Sequence, residues 1–178
     1  MKNFRRRYPS NYSSVPKARR DVAAFARGCG FHQNDINDIT LAVGEACNNA
    51  AEHGHVVAGS FSVGCTYEGD EFVVEVVDRG SGFDPQGKGE CRDPEKLGMR
   101  GLGIFIMRSL MDDICFTMQK AGTTVRLTKY ASPRQARAEN GVSRNGHLRA
   151  RLGLAAVHDR LKAFLKLARI EPRHRRER

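Results

Sequence analysis

Apolar residues recur at helical spacing in two segments near the start of the chain. Residues 15–29 carry apolar side chains at nearly every third or fourth position, with Ser14 placed to cap the start and Gly28 or Gly30 placed to end the helix. Residues 36–50 repeat this pattern. The spacing therefore predicts two helices in succession, the second longer than the first.

Alternating apolar and polar positions follow the second helix. Residues 60–67 and 71–78 predict two strands of a hairpin, joined by a short turn that contains a glycine. A helix is predicted over residues 102–111, followed by strands over 114–119 and 124–130. These elements indicate an α/β domain.

Two stretches show neither helical spacing nor strand alternation. Residues 79–98 are rich in glycine and proline, which predicts a long loop, and loops of that length in a compact domain are usually functional or disordered. After residue 130 the composition shifts to Arg, Ala, Asn and Gly, and an amphipathic basic helix is predicted at 148–170. We therefore divide the chain into a folded domain, 1–130, and a basic C-terminal extension, 131–178.

The net charge of +10 is unevenly distributed along the chain. The extension holds 13 of the 30 Lys and Arg residues and 4 of the 20 Asp and Glu residues, a net charge of +9, so residues 1–130 carry only +1. This near neutrality argues against a nucleic-acid partner for the folded domain, although the predicted helix at 148–170 keeps a basic DNA-binding module as an alternative.

The cysteines and the apolar runs indicate where the protein works. Five scattered cysteines without a CxxC pair argue against a disulfide framework and a zinc site, and a reducing cytoplasm fits them best. The basic N-terminus leads into no apolar signal segment, and no apolar run is long enough to span a bilayer. We expect a cytoplasmic protein without membrane contact.

The first segment with candidate functional residues lies on the second helix. Glu45, Asn49 and His53 are four residues apart and therefore share one helix face. A carboxylate and an amide oxygen on that face can hold hydrated Mg²⁺ and leave a carboxylate to accept a proton from an attacking hydroxyl. A solvated helix face explains the same spacing.

The second segment is an apolar strand that ends in Asp78, followed by Gly80, Gly82 and Phe83. An aspartate at a strand end can accept a hydrogen bond from an exocyclic amine, and glycines let a flat ring approach the backbone. The alternative is an ordinary turn between a strand and a loop.

Two further segments contain glycine or threonine at the start of an element. The glycine-rich run 98–104 opens a helix, where backbone N–H groups and the helix dipole attract phosphate. It is neither a Walker A sequence nor a dinucleotide fingerprint, and a flexible hinge is its alternative. Thr123, at the start of the last strand, could add a contact to phosphate, although a β-branched strand onset explains it equally well.

Taken in order, the four segments resemble the motifs of the anti-sigma-factor serine protein kinases. Residues 45–53 resemble the N-box, 78–83 the G1 box, 98–104 the G2 box and 122–123 the final GT motif. The resemblance implies the Bergerat (GHKL) ATP-binding fold, an α/β two-layer sandwich with helices on one face of a mixed, largely antiparallel sheet. It also implies ATP and Mg²⁺ as cofactors, a homodimer, and two partners: a sigma factor and an anti-anti-sigma protein of the STAS type, phosphorylated on serine.

Carried over by position, the resemblance assigns a role to each matching residue. Glu45 would be the general base, Asn49 the Mg²⁺ ligand and Asp78 the acceptor for the adenine amine, and residues 85–97 would form a lid over ATP. The full set of nucleotide-binding candidates is Asn49, His53, Asp78, Gly80, Gly82, Phe83, Gly98, Gly101, Leu102, Gly103, Ile104 and Thr123.

A second function remains open at this point. The same pocket could serve a non-catalytic clamp that binds ATP and sequesters a protein partner. Sensor histidine kinases share the pocket, but they carry an upstream helical hairpin with the phosphoacceptor histidine, and only about 30 residues precede the long helix here. The extension at 131–178 has no counterpart in the family domain.

Overall fold

A computed structural model describes residues 1–53, 59–80, 101–119 and 122–131 of the chain. The side chains of His53 and Gln119 lie outside the description, as do most of the loop predicted at 79–98 and nearly all of the extension predicted at 131–178. In chain order, the described elements are β1 (Lys2–Pro9), a short 3-10 turn (Tyr12–Ser14), α1 (Val15–Gly28), α2 (Gln33–His53), β2 (Ser60–Glu68), β3 (Glu71–Val77), α3 (Leu102–Leu110), β4 (Asp113–Gln119) and β5 (Gly122–Tyr130).

The described strands form one five-stranded sheet in the order β1-β2-β3-β5-β4. All four strand pairs are antiparallel, and the register places Val63 opposite Val76 and Val76 opposite Val125. Helix α2 packs against both α1 and α3 and contacts β2, β3 and β5, while α1 contacts β2 and α3 contacts β4. The predicted α/β sandwich with a largely antiparallel sheet is confirmed, and no described pair is parallel.

The core lies between α1, α2 and one face of the sheet. Every second residue of β2 and β3 points toward the helices, and Phe72 lies between Phe25 and Phe31, with ring centroids 5.9 and 5.1 Å away. Burying one such side chain contributes about 1.5–3 kcal/mol relative to leaving it exposed. The buried residues of α2 recur at helical spacing: Ile36, Ile39, Ala42, Val43, Ala46, Cys47, Ala50 and Ala51.

The sequence patterns predicted the bounds of most elements to within a few residues but missed β1. Three consecutive arginines, Arg5, Arg6 and Arg7, hide an alternation in which Phe4, Arg6 and Tyr8 face α1. The aliphatic stem of Arg6 can lie along this face while its guanidinium reaches Asp21 at 2.6 Å. A charged residue at an inward position therefore concealed the strand.

Cysteine chemistry departs from expectation at one residue. Cys47 and Cys65 are free and buried, and burial raises the pKa of the Cys47 thiol to about 12. Cys115 on β4, however, is disulfide-bonded, whereas the scattered cysteines of the sequence argue against a disulfide framework. In the part of the chain that the structure describes, no helix is long and apolar enough to cross a membrane.

Candidate functional site

Asp78 follows the last residue of β3 and is held by backbone groups from two directions. Its Oδ1 accepts hydrogen bonds from the N–H of Gly80 at 3.0 Å and from the N–H of Thr123 at 3.2 Å. The N–H of Asp78 donates to the carbonyl of Thr123 at 3.0 Å. The residue is only 8% exposed. Both described hydrogen bonds to the carboxylate end on Oδ1, so Oδ2 is available to a ligand.

Gly122 allows β5 to approach Asp78 this closely. A Cβ at Gly122 would lie 2.1 Å from the carbonyl oxygen of Asp78 and 2.9 Å from the Cα of Arg79. The φ angle of Gly122 is also +129°, a conformation that side chains with a Cβ rarely adopt. Glycine is therefore required at this position for the Asp78–Thr123 contact. Sequence reasoning named Gly122 only as part of a motif, because the close approach is a tertiary feature.

Glu45 lies against the first turn of α3. Its Oε2 is 3.0 Å from the point that a Cβ on Gly103 would occupy, so the absence of a side chain there gives the carboxylate room. Glu45 is half-buried on α2, which packs on α3. The structure thus places Glu45 and Gly103, two predicted site residues 58 positions apart along the chain, close together.

The start of α3 presents unused backbone donors. Gly101, at the N-cap, has a φ of +147° and no side chain to cap the helix. Its carbonyl accepts the first helical hydrogen bond, from Phe105 at 3.1 Å. Among the described residues, the N–H groups of Leu102, Gly103 and Ile104 have no acceptor, as is usual for the first turn of a helix. This turn can therefore bind an anion.

Asn49 is one helical turn beyond Glu45 on α2 and is also half-buried. The described residues contain no group of three or more His, Cys, Asp or Glu side chains that would form a metal cage. Mg²⁺ that enters with a nucleotide needs only one or two protein oxygens, because phosphates and waters supply the rest. The oxygens of Glu45 and Asn49 fit that requirement.

The remaining predicted site residues divide into two groups. Leu102 is exposed and Ile104 is half-buried, and both lie in the first turn of α3. The positions of Gly82, Phe83, Gly98, the lid at residues 85–97 and the His53 side chain lie outside the described residues, and their roles stay predictions.

The arrangement combines three chemical capabilities. The buried Asp78 can accept a hydrogen bond from an amine, the first turn of α3 can hold phosphate oxygens, and Glu45 can accept a proton beside that turn. Such a set can bind a purine nucleotide and act on its phosphates. A cleft of about 240 Å³ elsewhere in the protein is lined by none of these residues.

Comparison with known proteins finds a matching family and similar relatives. Residues 8–129 match the histidine kinase-like ATPase domain family. The chain is 30% identical over 145 residues to a protein of Bacillus licheniformis named serine-protein kinase RsbW, an alignment that covers 76% of this chain and 88% of the relative. It is 32% identical over 131 residues to a protein of the same name from Bacillus velezensis, covering 68% and 81% of the two chains.

A solved structure shares the fold. The crystal structure of the RsbU and RsbW domains of a Mycobacterium tuberculosis protein superposes with a TM-score of 0.56 at 22% identity. The match covers 73% of this chain and 32% of that longer one. At this identity the likeness supports the architecture described above.

Proposed function

Because this chain belongs to the family of anti-sigma-factor serine protein kinases, which carry a histidine kinase-like ATPase domain, we propose that it transfers the γ-phosphoryl group of ATP to a serine of a protein partner. The observation that carries the proposal is the pairing of two sites in one fold. The buried Asp78 carboxylate is fixed by Gly80 and Thr123, and the Glu45 carboxylate lies at the first turn of α3.

Asp78 would select the base of the nucleotide. With Oδ1 occupied by two backbone donors, Oδ2 would accept a hydrogen bond from the exocyclic amine of adenine. Guanine presents a carbonyl at the corresponding position, and two acceptors facing each other in a buried site are costly. The site therefore favours ATP over GTP.

Glu45 would act as the general base. The serine oxygen attacks the γ-phosphorus, the bond to the bridging oxygen breaks, ADP leaves, and the serine proton passes to the Glu45 carboxylate. The N–H groups at the start of α3 would hold the phosphate oxygens in place for this step. Mg²⁺, bound with the nucleotide and held by Asn49 with Glu45 nearby, would neutralise phosphate charge.

The protein partners belong to the same proposal. We infer that the substrate is a STAS-type anti-anti-sigma protein, that a sigma factor binds the same chain, and that the chain works as a cytoplasmic homodimer. The names of the relatives, both serine-protein kinases, support the serine substrate. The near-neutral charge of residues 1–130 supports a protein rather than a nucleic-acid partner.

The deciding experiment replaces the proposed base in the full chain. Glu45→Gln keeps the shape of the side chain beside Gly103 but removes the proton acceptor. We expect phosphate transfer from Mg²⁺-ATP to a STAS-type protein to fall by about 10²–10⁴-fold, the usual contribution of a general base. Binding of a fluorescent ATP analogue is expected to stay within a few-fold of the wild type.

The matched control is Glu52→Gln, which changes an exposed glutamate on the same helix and is expected to leave both measurements unchanged. Equal transfer rates for Glu45→Gln and the wild type would rule out Glu45 as the base. ATP binding by the wild type without transfer to any STAS-type partner would favour the clamp that sequesters a partner, and a failure to bind ATP would overturn both functions.

A further inference from the structure

The arginines of β1 divide between the two faces of the sheet. Phe4 packs against Phe25 of α1, with ring centroids 6.0 Å apart, and Arg6 and Tyr8 both reach Asp21 of α1. Successive side chains of a strand point to opposite faces. Arg5 and Arg7 therefore lie on the face directed away from the helices, which we call the far face.

The far face brings arginines and hydroxyl groups together at one end of the sheet. Arg7 pairs with Ser62 on β2, and Ser62 pairs with Val77 on β3, so the three positions form a row across the strands. Arg79 lies two residues beyond Val77. A cleft of about 240 Å³ occupies this region. Its described lining contains no acidic residue and consists of Arg5, Arg7, Arg79, Ser60, Ser62 and Val77, together with Arg6 and Phe61 from helix-facing positions.

The charges of this cleft are only weakly compensated. Arg5 lies 3.4 Å from Glu75, but their side chains are 66% and 40% exposed, and exposed ion pairs contribute little. Arg7 and Arg79 are exposed and have no ion-pair partner among the described residues. An anion that enters the cleft would therefore meet two or three guanidinium groups without displacing a strong ion pair.

The size and the donors of the cleft select the class of anion. Guanidinium groups bind phosphate through paired, parallel hydrogen bonds, and serine hydroxyls add donors. A volume of about 240 Å³ corresponds to about eight waters at ~30 Å³ each. That is below the ~300–1,000 Å³ of sites for whole small molecules. The space suits a phosphate group better than a complete nucleotide.

We propose that the far-face cleft between Arg5, Arg7 and Arg79 is a second anion site that binds a phosphate group, either free or as a phosphomonoester. Most of its lining residues occupy far-face positions of the sheet, and neither Glu45 nor Asp78 lines it. Its existence does not depend on the kinase reaction proposed above.

The test is a titration of the isotope-labelled full chain with inorganic phosphate, followed by NMR. We expect the backbone signals of Arg7, Ser62 and Arg79 to shift together along one saturable curve. Phosphate bound at α3 instead would move Gly103 on a separate curve, which distinguishes the two sites.

Two substitutions and one control make the assignment specific. Arg7→Gln and Arg79→Gln are each expected to weaken phosphate binding in the cleft about three- to tenfold, as for removal of one partly exposed charge-assisted contact. ATP binding by Arg7→Gln is expected to remain within twofold. Arg20→Gln, which removes an exposed arginine of α1 outside the cleft, is expected to have no effect.

Each outcome bears on the proposal. No saturable shift at Arg7, Ser62 and Arg79, or equal binding by Arg7→Gln and Arg20→Gln, would overturn it. A parallel titration with O-phosphoserine identifies the source: tighter binding than inorganic phosphate supports a phosphomonoester carried by a protein or metabolite, and weaker binding supports free phosphate.

Discussion

At the scale of single residues, Gly122 shows how one missing side chain builds the candidate site. Gly122→Ala would place a methyl group 2.1 Å from the Asp78 carbonyl oxygen and force the start of β5 away from Asp78. Overpacking costs about 1–3 kcal/mol, and the positive φ adds about 1–2 kcal/mol. We expect a loss of at least about 2 kcal/mol in the free energy of unfolding in urea, together with weaker ATP binding, because the Thr123 hydrogen bond is lost.

Gly30→Ala separates the two causes. Gly30 has a φ of +83° but no atom within 4 Å of the added Cβ, and it lies after α1, away from Asp78. This variant should lose about 1 kcal/mol from backbone strain and keep normal ATP binding. If both variants bind ATP equally well, the close approach at Gly122 is unnecessary for the site.

At the scale of secondary-structure elements, Lys129 connects three of them. It is 5% exposed, and its ammonium donates to the carbonyl of Leu110 at the end of α3 at 2.5 Å and approaches Asp38 of α2 at 3.4 Å. A cation near the C-terminal carbonyls of a helix is favoured by the helix dipole. Lys129 therefore holds the far end of the helix whose first turn faces Glu45.

Lys129→Met keeps the apolar stem and removes these contacts. We expect the free energy of unfolding in urea to fall by about 2 kcal/mol, because a buried carbonyl loses its donor. Arg126→Met is the control on the same strand. Its guanidinium lies 3.6 Å from Glu71 in an exposed pair, so a loss below about 1 kcal/mol is expected. Equal losses for the two variants would contradict a special role for Lys129.

At the scale of the whole molecule, stability depends on pH through the link between β1 and α1. Burial, and then the hydrogen bond to Asp21, raises the pKa of Tyr8 above its usual value. Burial also acts to raise the pKa of Asp21, but hydrogen bonds from Tyr8 and Arg6 outweigh it and leave that pKa below its usual value. The raised phenol pKa means that the Tyr8 contact stabilises the fold fully below about pH 10. This stabilisation is lost as the pH rises further. The lowered carboxyl pKa means that the Asp21 contacts stabilise the fold fully above about pH 4. This stabilisation is lost in acid.

Tyr8→Phe should therefore reduce stability at neutral pH by about 1–2 kcal/mol, since a hydrogen bond to a charged group is lost. It should also flatten the decline of stability above pH 10. The measurement is urea unfolding as a function of pH. Tyr12→Phe, at a residue that is 58% exposed, should change neither value. An unchanged alkaline decline in Tyr8→Phe would show that another group titrates there.

The sequence by itself determined the elements in which local pattern and burial agree. The apolar spacing of α1 and α2 and the alternation of β2 and β3 predicted these four elements, because each buries one regular face. Four ordered motifs also indicated the ATPase-domain family, since each places a characteristic residue type on a helix or at the start or end of an element.

Only the tertiary structure decided which distant residues meet. Asp78 and Thr123 are 45 positions apart, and the antiparallel pairing of β3 with β5 joins them. β1 was not predicted because Arg6 interrupts the apolar alternation of its helix-facing side, and its ion pair with Asp21 of α1 forms only in the folded chain. The contacts of Gly122, Gly103 and Lys129 likewise depend on how neighbouring elements approach each other. The pattern within one segment does not predict these contacts, because they depend on packing between segments.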